Sequence, residues 1–140
     1  MDPVAVLFVD DEADFVEALI KRMRKREIDA YGANSGEAAL AFLADATTAI
    51  DVVVLDVRMQ GMNGIETLEA LKRKYPMIEV IMLSGHANLT VAKEGMQRGA
   101  FDYLMKPVDL DELLYKLQDA CQKKRLNEAR RSNSSTDSFP

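Results

Sequence analysis

VLFVDDEADF, residues 6–15, decides how the chain is to be read. Residues 6–9 form an unbroken apolar run, and continuous rather than alternating apolarity marks a strand buried on both faces, as in a parallel sheet. The run breaks at once into Asp10, Asp11 and Glu12. Adjacent carboxylates raise one another's pKa and destabilise the fold unless a cation neutralises them. The stretch therefore predicts a buried strand whose carboxyl end carries a charged site.

Similar runs recur outward from this point. Residues 4–9, 52–55 and 80–83 are the strongest, and weaker ones lie near 28–31 and 101–104. Between them the apolar period is helical: Phe15, Leu19 and Met23 fall at four-residue steps, Ala39, Leu40 and Leu43 share a face, and Leu68, Leu71 and Tyr75 share another. Strand and helix thus alternate five times, which predicts parallel strands joined by right-handed crossovers in an open, doubly wound α/β sheet. Gly36, Gly64, Gly85 and Gly99 punctuate the connections, with Asn63-Gly64 the clearest turn signal. The last helix is expected to begin near Asp109 or Leu110, after Lys106-Pro107, with Leu110, Leu113, Leu114 and Leu117 as its buried stripe. Past Cys121 the stripe weakens into QKKRLNEARR, read as the solvated, basic end of that helix, where cations suit the macrodipole. The polar SNSSTDSFP is expected to lose order from about Ser132. This gives a domain over residues 1–122 and a basic helix end and tail over 123–140.

The chain has 140 residues, one cysteine and one histidine, and a net charge of −5. Cys121 alone cannot form an internal disulfide, and one Cys with one His cannot make a tetrahedral zinc site, so packing must hold the fold. The acidic balance argues against direct nucleic-acid binding. No apolar run approaches the ~18 residues of a membrane helix, and no positive leader precedes the first strand, so the expectation is a cytoplasmic protein without membrane contact.

In such a sheet all strand carboxyl ends lie on one edge, where ligands bind at the point of strand-order reversal. Strand one ends in Asp10, Asp11 and Glu12, strand three in Asp56, strand four in Ser84, and strand five in Lys106. With the order 2-1-3-4-5 these residues converge. Singly, each has a plainer role: Asp11 or Asp56 as a cap, Ser84 in a turn, Lys106 in solvent. Together they point to a site. A carboxylate cluster wants a hard, oxygen-ligated ion, and Mg²⁺ binds through one or two carboxylates while keeping waters and taking phosphate oxygens. Asp56, central and following the apolar VVVLD, is the candidate nucleophile toward phosphorus. Lys106 would offset charge on the transferring group, and Ser84 would hydrogen-bond one of its oxygens.

From about residue 4 to residue 117 the chain resembles the receiver domains of bacterial two-component response regulators. The resemblance rests on the paired acids of VDDE, the acceptor in VLDVRM, the hydroxyl in MLSGH and the lysine in GAFDYLMKP, in family order and spacing. It implies a flavodoxin-like fold of order 2-1-3-4-5 and phosphorylation of Asp56 by a sensor histidine kinase or phosphotransfer protein, with slow loss of the phosphoryl group. It further implies Asp11 as a direct Mg²⁺ ligand, Asp10 acting largely through water, and the Arg58 backbone carbonyl as another ligand. Ser84 and Tyr103 would be the switch pair, changing the surface of helix four, strand five and helix five for a downstream partner or fused effector domain. The Lys106-Pro107 peptide is often cis in the family. A monomer, or a homodimer formed on phosphorylation, would be consistent with it. Gln60 stands where family members commonly have Pro. Arg58 and His86 occupy positions at which the family tunes phosphoryl lifetime, and they are expected to shield the acyl phosphate; simple solvent exposure is the plainer alternative.

Three rival readings fit the residues less well. A haloacid-dehalogenase-like phosphatase also uses a nucleophilic Asp, a hydroxyl, a lysine and Mg²⁺, but it wants a second Asp two residues on, where Arg58 stands. A flavodoxin-like cofactor binder needs small residues and amide donors after strand one, where DDEADF would repel phosphate. A degenerate receiver acting only as an interaction module is disfavoured by the intact set of Asp11, Asp56, Ser84 and Lys106. His86 follows a strand rather than lying on a helix face, which argues against a phosphohistidine donor.

Overall fold

The computed structural model describes residues 3–45, 47–59 and 61–137, with side chains described as far as residue 132. The five apolar runs form β1 (Ala5–Val9), β2 (Asp29–Ala33), β3 (Val52–Asp56), β4 (Glu79–Ser84) and β5 (Asp102–Met105). They pair in parallel in the order β2-β1-β3-β4-β5, as expected. Register is set by the apolar residues: Val6 faces Val52, Val53 faces Val80, and Asp56 faces Leu83. Every residue of β1, β3 and β4 is buried, which accounts for their continuous apolarity, whereas the edge strand β2 is mixed.

The helices are α1 (Ala13–Arg24), α2 (Gly36–Asp45), α3 (Gly64–Lys74), α4 (Leu89–Gln97) and α5 (Leu110–Asp137), with a 3-10 turn at His86–Asn88 before α4. Alternation along each strand divides the core in two. Leu7, Val9, Val53, Leu55, Val80 and Met82 meet Ala39 of α2, Leu68 and Leu71 of α3, and Ala92 of α4. Val6, Phe8, Val54, Ile81, Leu83 and Leu104 meet Leu19 and Met23 of α1 and Leu113 and Leu117 of α5 on the other face. Each valine, leucine, isoleucine, phenylalanine or methionine among them, fully withdrawn from water, contributes about 1.5–3 kcal/mol before the entropy of ordering it is set against the gain.

Asn63-Gly64 marks a helix start. Asn63 Oδ1 accepts the Glu66 N–H at 2.9 Å while Glu66 Oε1 accepts the Asn63 N–H at 3.3 Å, a reciprocal capping box. α5 begins at Leu110 with Asp109 accepting the Asp111 and Glu112 N–H groups at 2.9 and 3.1 Å, and the Lys106-Pro107 peptide is cis. Among the described residues no helix is long and apolar enough to cross a membrane.

The backbone of α5 is helical from Leu110 to Asp137, with no proline or glycine in that span. One expectation about this helix needs correction: the basic run is not wholly solvated. The buried stripe of Leu113, Leu117, Ala120 and Cys121 continues onto Lys124, which is itself buried. Lys124 Nζ donates to Asp51 Oδ1 at 3.0 Å, and Asp51 Oδ2 accepts the Ala5 N–H at 2.9 Å. Arg125 adds a contact to Asp51 Oδ2 at 3.3 Å and donates to the Pro3 carbonyl at 3.1 Å. Burial would raise the Asp51 carboxyl, but the Ala5 N–H and the Lys124 ammonium outweigh it and hold the group below its ordinary range. The same surroundings, burial first and then Asp51, push the Cys121 thiol up to about 11. This cluster lies at the amino ends of the strands, opposite the edge to which the site residues belong.

Candidate functional site

At the carboxyl edge the adjacency of β1 and β3 brings Asp10, Asp11 and Asp56 together: one carboxylate oxygen from each lies within 4.8 Å of the others. Asp10 and Asp56 are buried and Asp11 is exposed. Both oxygens of Asp10 are engaged, since Oδ1 accepts the Glu12 N–H at 2.9 Å and Oδ2 accepts from Lys106 Nζ at 2.9 Å. Burial, then the Asp10 charge and less strongly that of Asp11, raise the Asp56 carboxyl from 3.8 to about 6 against the opposing Arg58 N–H and Lys106. Three convergent carboxylates, one of them resisting ionisation because it is buried and, after that, because its neighbours are charged, fit a divalent cation with oxygen ligands.

Glu12, the third acid of the opening stretch, is not in this cluster. It turns to Lys106, whose Nζ is 3.0 Å from Glu12 Oε1 and 4.7 Å from the centre of the Phe15 ring. Burial alone would weaken the lysine's charge; its bonds to Asp10 and Glu12 and the nearby Asp56 more than offset this and keep it protonated. Sequence pattern signalled neither the Glu12 partnership nor the Phe15 contact, because both depend on how far the lysine reaches across the sheet.

Ser84 ends β4 one register beyond the Asp56–Leu83 pair and is completely buried, its hydroxyl donating to the Gly85 carbonyl at 2.7 Å. A Cβ on Gly85 would meet nothing within 4 Å, so the loop after β4 has open space beside it. Tyr103 lies opposite Met82 in β5, half-buried against the core that α2, α3 and α4 cover. Lys116 of α5 holds this strand: Nζ donates to the Tyr103 carbonyl at 2.8 Å, pairs with Asp102 at 3.1 Å and sits 5.7 Å from the Tyr103 ring centre.

Arg58 and His86 are both exposed. The Arg58 N–H donates to Asp56 Oδ1 at 3.2 Å, which orients the carboxylate. Gln60 lies outside the described residues. Gly64, at the start of α3, packs so closely that a Cβ there would come within 2.6 Å of the Asp56 carbonyl and the Val57 Cα. Sequence reasoning also missed Glu37 of α2, whose Oε1 accepts the Met62 N–H at 3.0 Å in the loop between β3 and α3.

Residues 6–118 match the response regulator receiver domain family. Among curated relatives, an NtrX-like response regulator of Rickettsia bellii is 34% identical over 128 residues, which is 90% of this chain and 26% of that protein. The DNA-binding transcriptional regulator NtrC of Salmonella typhimurium is 37% identical over 107 residues, 76% of this chain and 22% of that protein. The chain therefore spans about a quarter of the length of these relatives. Among solved structures, the receiver domain of NtrX from Brucella abortus is similar with a TM-score of 0.77 at 30% identity, covering 84% of this chain and 98% of that one. A response regulator receiver protein from Pseudomonas putida gives 0.76 at 34% identity, covering 85% and 98%.

Proposed function

The chain belongs to the response regulator receiver domain family, a phosphoacceptor module that switches a signal on phosphorylation, and we propose that Asp56 is its acceptor. The observation that carries this reading is the meeting of Asp10, Asp11 and Asp56 within 4.8 Å, with the Lys106 ammonium 2.9 Å from Asp10. Asp10, Asp11, Asp56 and the Arg58 backbone carbonyl would hold Mg²⁺, with Asp11, exposed and unburdened by Lys106, as the most direct ligand. The ion supplies charge compensation to the phosphoryl oxygens when bound.

In the transfer an Asp56 carboxylate oxygen forms the new O–P bond as the donor's P–N bond breaks, and the departing imidazole takes a proton from solvent. The chain's own residues position and neutralise: the Arg58 N–H orients the attacking carboxylate, and Lys106 exchanges its carboxylate partners for phosphoryl oxygen. The reaction is self-catalysed phosphoryl acceptance with slow loss of the group. The donor is a sensor histidine kinase or a phosphotransfer protein.

Ser84 would then give up the Gly85 carbonyl for a phosphoryl oxygen, and the Tyr103 ring would turn inward as the loop moves. That biases two interconverting states of the α4, β5 and α5 surface, where Met96 and Tyr115 stand exposed for a downstream protein or effector domain. Arg58 and His86, exposed beside the site, would limit water access to the acyl phosphate. The receiver unit is taken as residues 1–122, with the extension from residue 123 fastened beneath it by Lys124 and Arg125.

Intact mass after incubation with acetyl phosphate, with and without Mg²⁺, tests the reading on this chain and on Asp56→Asn. A single Mg²⁺-dependent phosphoryl adduct absent from the variant is expected. No adduct on a folded, Mg²⁺-binding chain would favour an interaction module instead.

A further inference from the structure

Residues 57–63, between Asp56 and α3, contain no proline, and Gly61 sits at φ +75°, a conformation that favours glycine. Its far end is held from outside. Glu37, in the first turn of α2, accepts the Met62 N–H through Oε1 at 3.0 Å, a contact between residues 25 apart in sequence. A Cβ on Gly61 would stand 3.4 Å from the same oxygen, so the carboxylate lies directly against the turn.

Glu37 itself is exposed, but the residue before it is closely packed. A Cβ on Gly36 would collide with Thr67 Oγ1 and come 3.1 Å from Met62 Sδ, so the start of α2 rests on the start of α3 and on Met62 together. Thr67 Oγ1 in turn donates to the Asn63 carbonyl at 2.8 Å. The Glu37 carboxyl is kept below its usual range by its own N–H, the Met62 N–H and the Ser35 hydroxyl, so the acceptor is charged at neutral pH. At the near end of the loop the Arg58 N–H reaches Asp56 Oδ1. The two hydrogen bonds bracket the segment that must place the Arg58 backbone beside the acceptor.

We infer that Glu37 is a positioning residue for phosphoryl acceptance: by tethering Met62 it fixes the loop after Asp56 and thereby sets divalent-cation affinity and the rate of acceptance. The inference rests on Asp56 being the acceptor. Misplacement by a fraction of an ångström at a site that works by orientation lowers rate steeply, and loss of one exposed tether is expected to reduce it about three- to ten-fold. Glu37 is not one of the three clustered acids that would hold the ion; it would act through Met62 and the loop that carries Arg58.

The test compares the full chain with Glu37→Ala, Glu37→Gln and Asp56→Asn. Mg²⁺ affinity is titrated without phosphoryl donor, acceptance from acetyl phosphate is followed by intact mass, and amide exchange is measured over residues 57–63 beside the thermal midpoint. Glu37→Ala should weaken Mg²⁺ binding and slow acceptance together, and should speed exchange in residues 57–63 with the midpoint little changed. Glu37→Gln, whose amide oxygen can still accept the Met62 N–H, should restore both within about two-fold. Glu37→Ala matching the unmutated chain in Mg²⁺ affinity, rate and exchange would overturn the inference, as would equal impairment of Glu37→Ala and Glu37→Gln, which would make charge rather than the tether the agent. These results leave the acceptor assignment standing whenever the adduct forms on the unmutated chain and not on Asp56→Asn. Absence of the adduct from the unmutated chain would remove the acceptor reading and this inference with it.

Discussion

Lys106 Nζ lies 2.9 Å from Asp10 Oδ2, although β5 and β1 are separated in the sheet by β4 and β3. The lysine reaches across two strands to hold the acid that most strongly opposes ionisation of Asp56. Removing it should therefore impair the chemistry more than the fold. Lys106→Ala is expected to slow phosphoryl acceptance by about a hundred-fold, in the range found when a donor to developing negative charge is deleted. Rate by intact mass, with circular dichroism as a control on folding, checks this; a rate within three-fold of the unmutated chain would contradict it.

Asp56 makes the metal-free protein sensitive to pH. Its folded pKa of about 6 exceeds the ordinary 3.8, so the fold favours the protonated acid. The penalty for ionising it is absent below 3.8, grows as pH rises through about 6, and is complete above that. Asp56→Asn should accordingly stabilise the protein in chelator at pH 7.5 by about 2 kcal/mol, while the two chains converge toward pH 4. Mg²⁺ should narrow the gap at pH 7.5. Urea midpoints at the two pH values decide the matter, and an equal or lower midpoint for the variant at pH 7.5 would count against it.

Gly64 is required by space rather than by backbone angle. Any side chain there meets the Asp56 carbonyl and the Val57 Cα, neither of which can move without disturbing the end of β3. Gly64→Ala should destabilise by about 2 kcal/mol or more and weaken Mg²⁺ binding at the same time. A variant melting with the unmutated chain would show that the α3 start can shift freely.

Lys124 is the corresponding test at the other edge of the sheet. Lys124→Met removes the principal cation from a carboxylate whose side chain is 7% exposed, and breaking such a pair from one side costs about 3 kcal/mol. Ending the chain after residue 122 should do at least as much harm, since Arg125 goes as well. Neither change touches the carboxyl edge, so acceptance of the phosphoryl group per folded molecule should persist.

Much of this was legible in the residues alone. The strands announced themselves because burial on both faces leaves no room for alternation in VLFVD or VVVLD, and parallel topology then required Asp10, Asp11, Asp56, Ser84 and Lys106 to share an edge. β2 was faint because DAYGA is an edge strand with little to bury. Pattern could not reveal pairings set by side-chain reach: Glu12 with Lys106, Glu37 with Met62, Lys124 with Asp51. Lys124 was the most misleading, since a lysine at the next position of an apolar stripe reads as the stripe's end. It in fact continues the stripe, buried with its ammonium on a buried acid.

The bond between Asp51 and Lys124 also orders events during synthesis. Asp51 binds the first strand through the Ala5 N–H, yet its main counter-charge is made 73 residues later. A nascent chain can pair β1 with β3 as soon as both have emerged, but it carries a carboxylate without its cation at the foot of the sheet until α5 has followed. A helix made well after the first strand therefore closes the structure which that strand began.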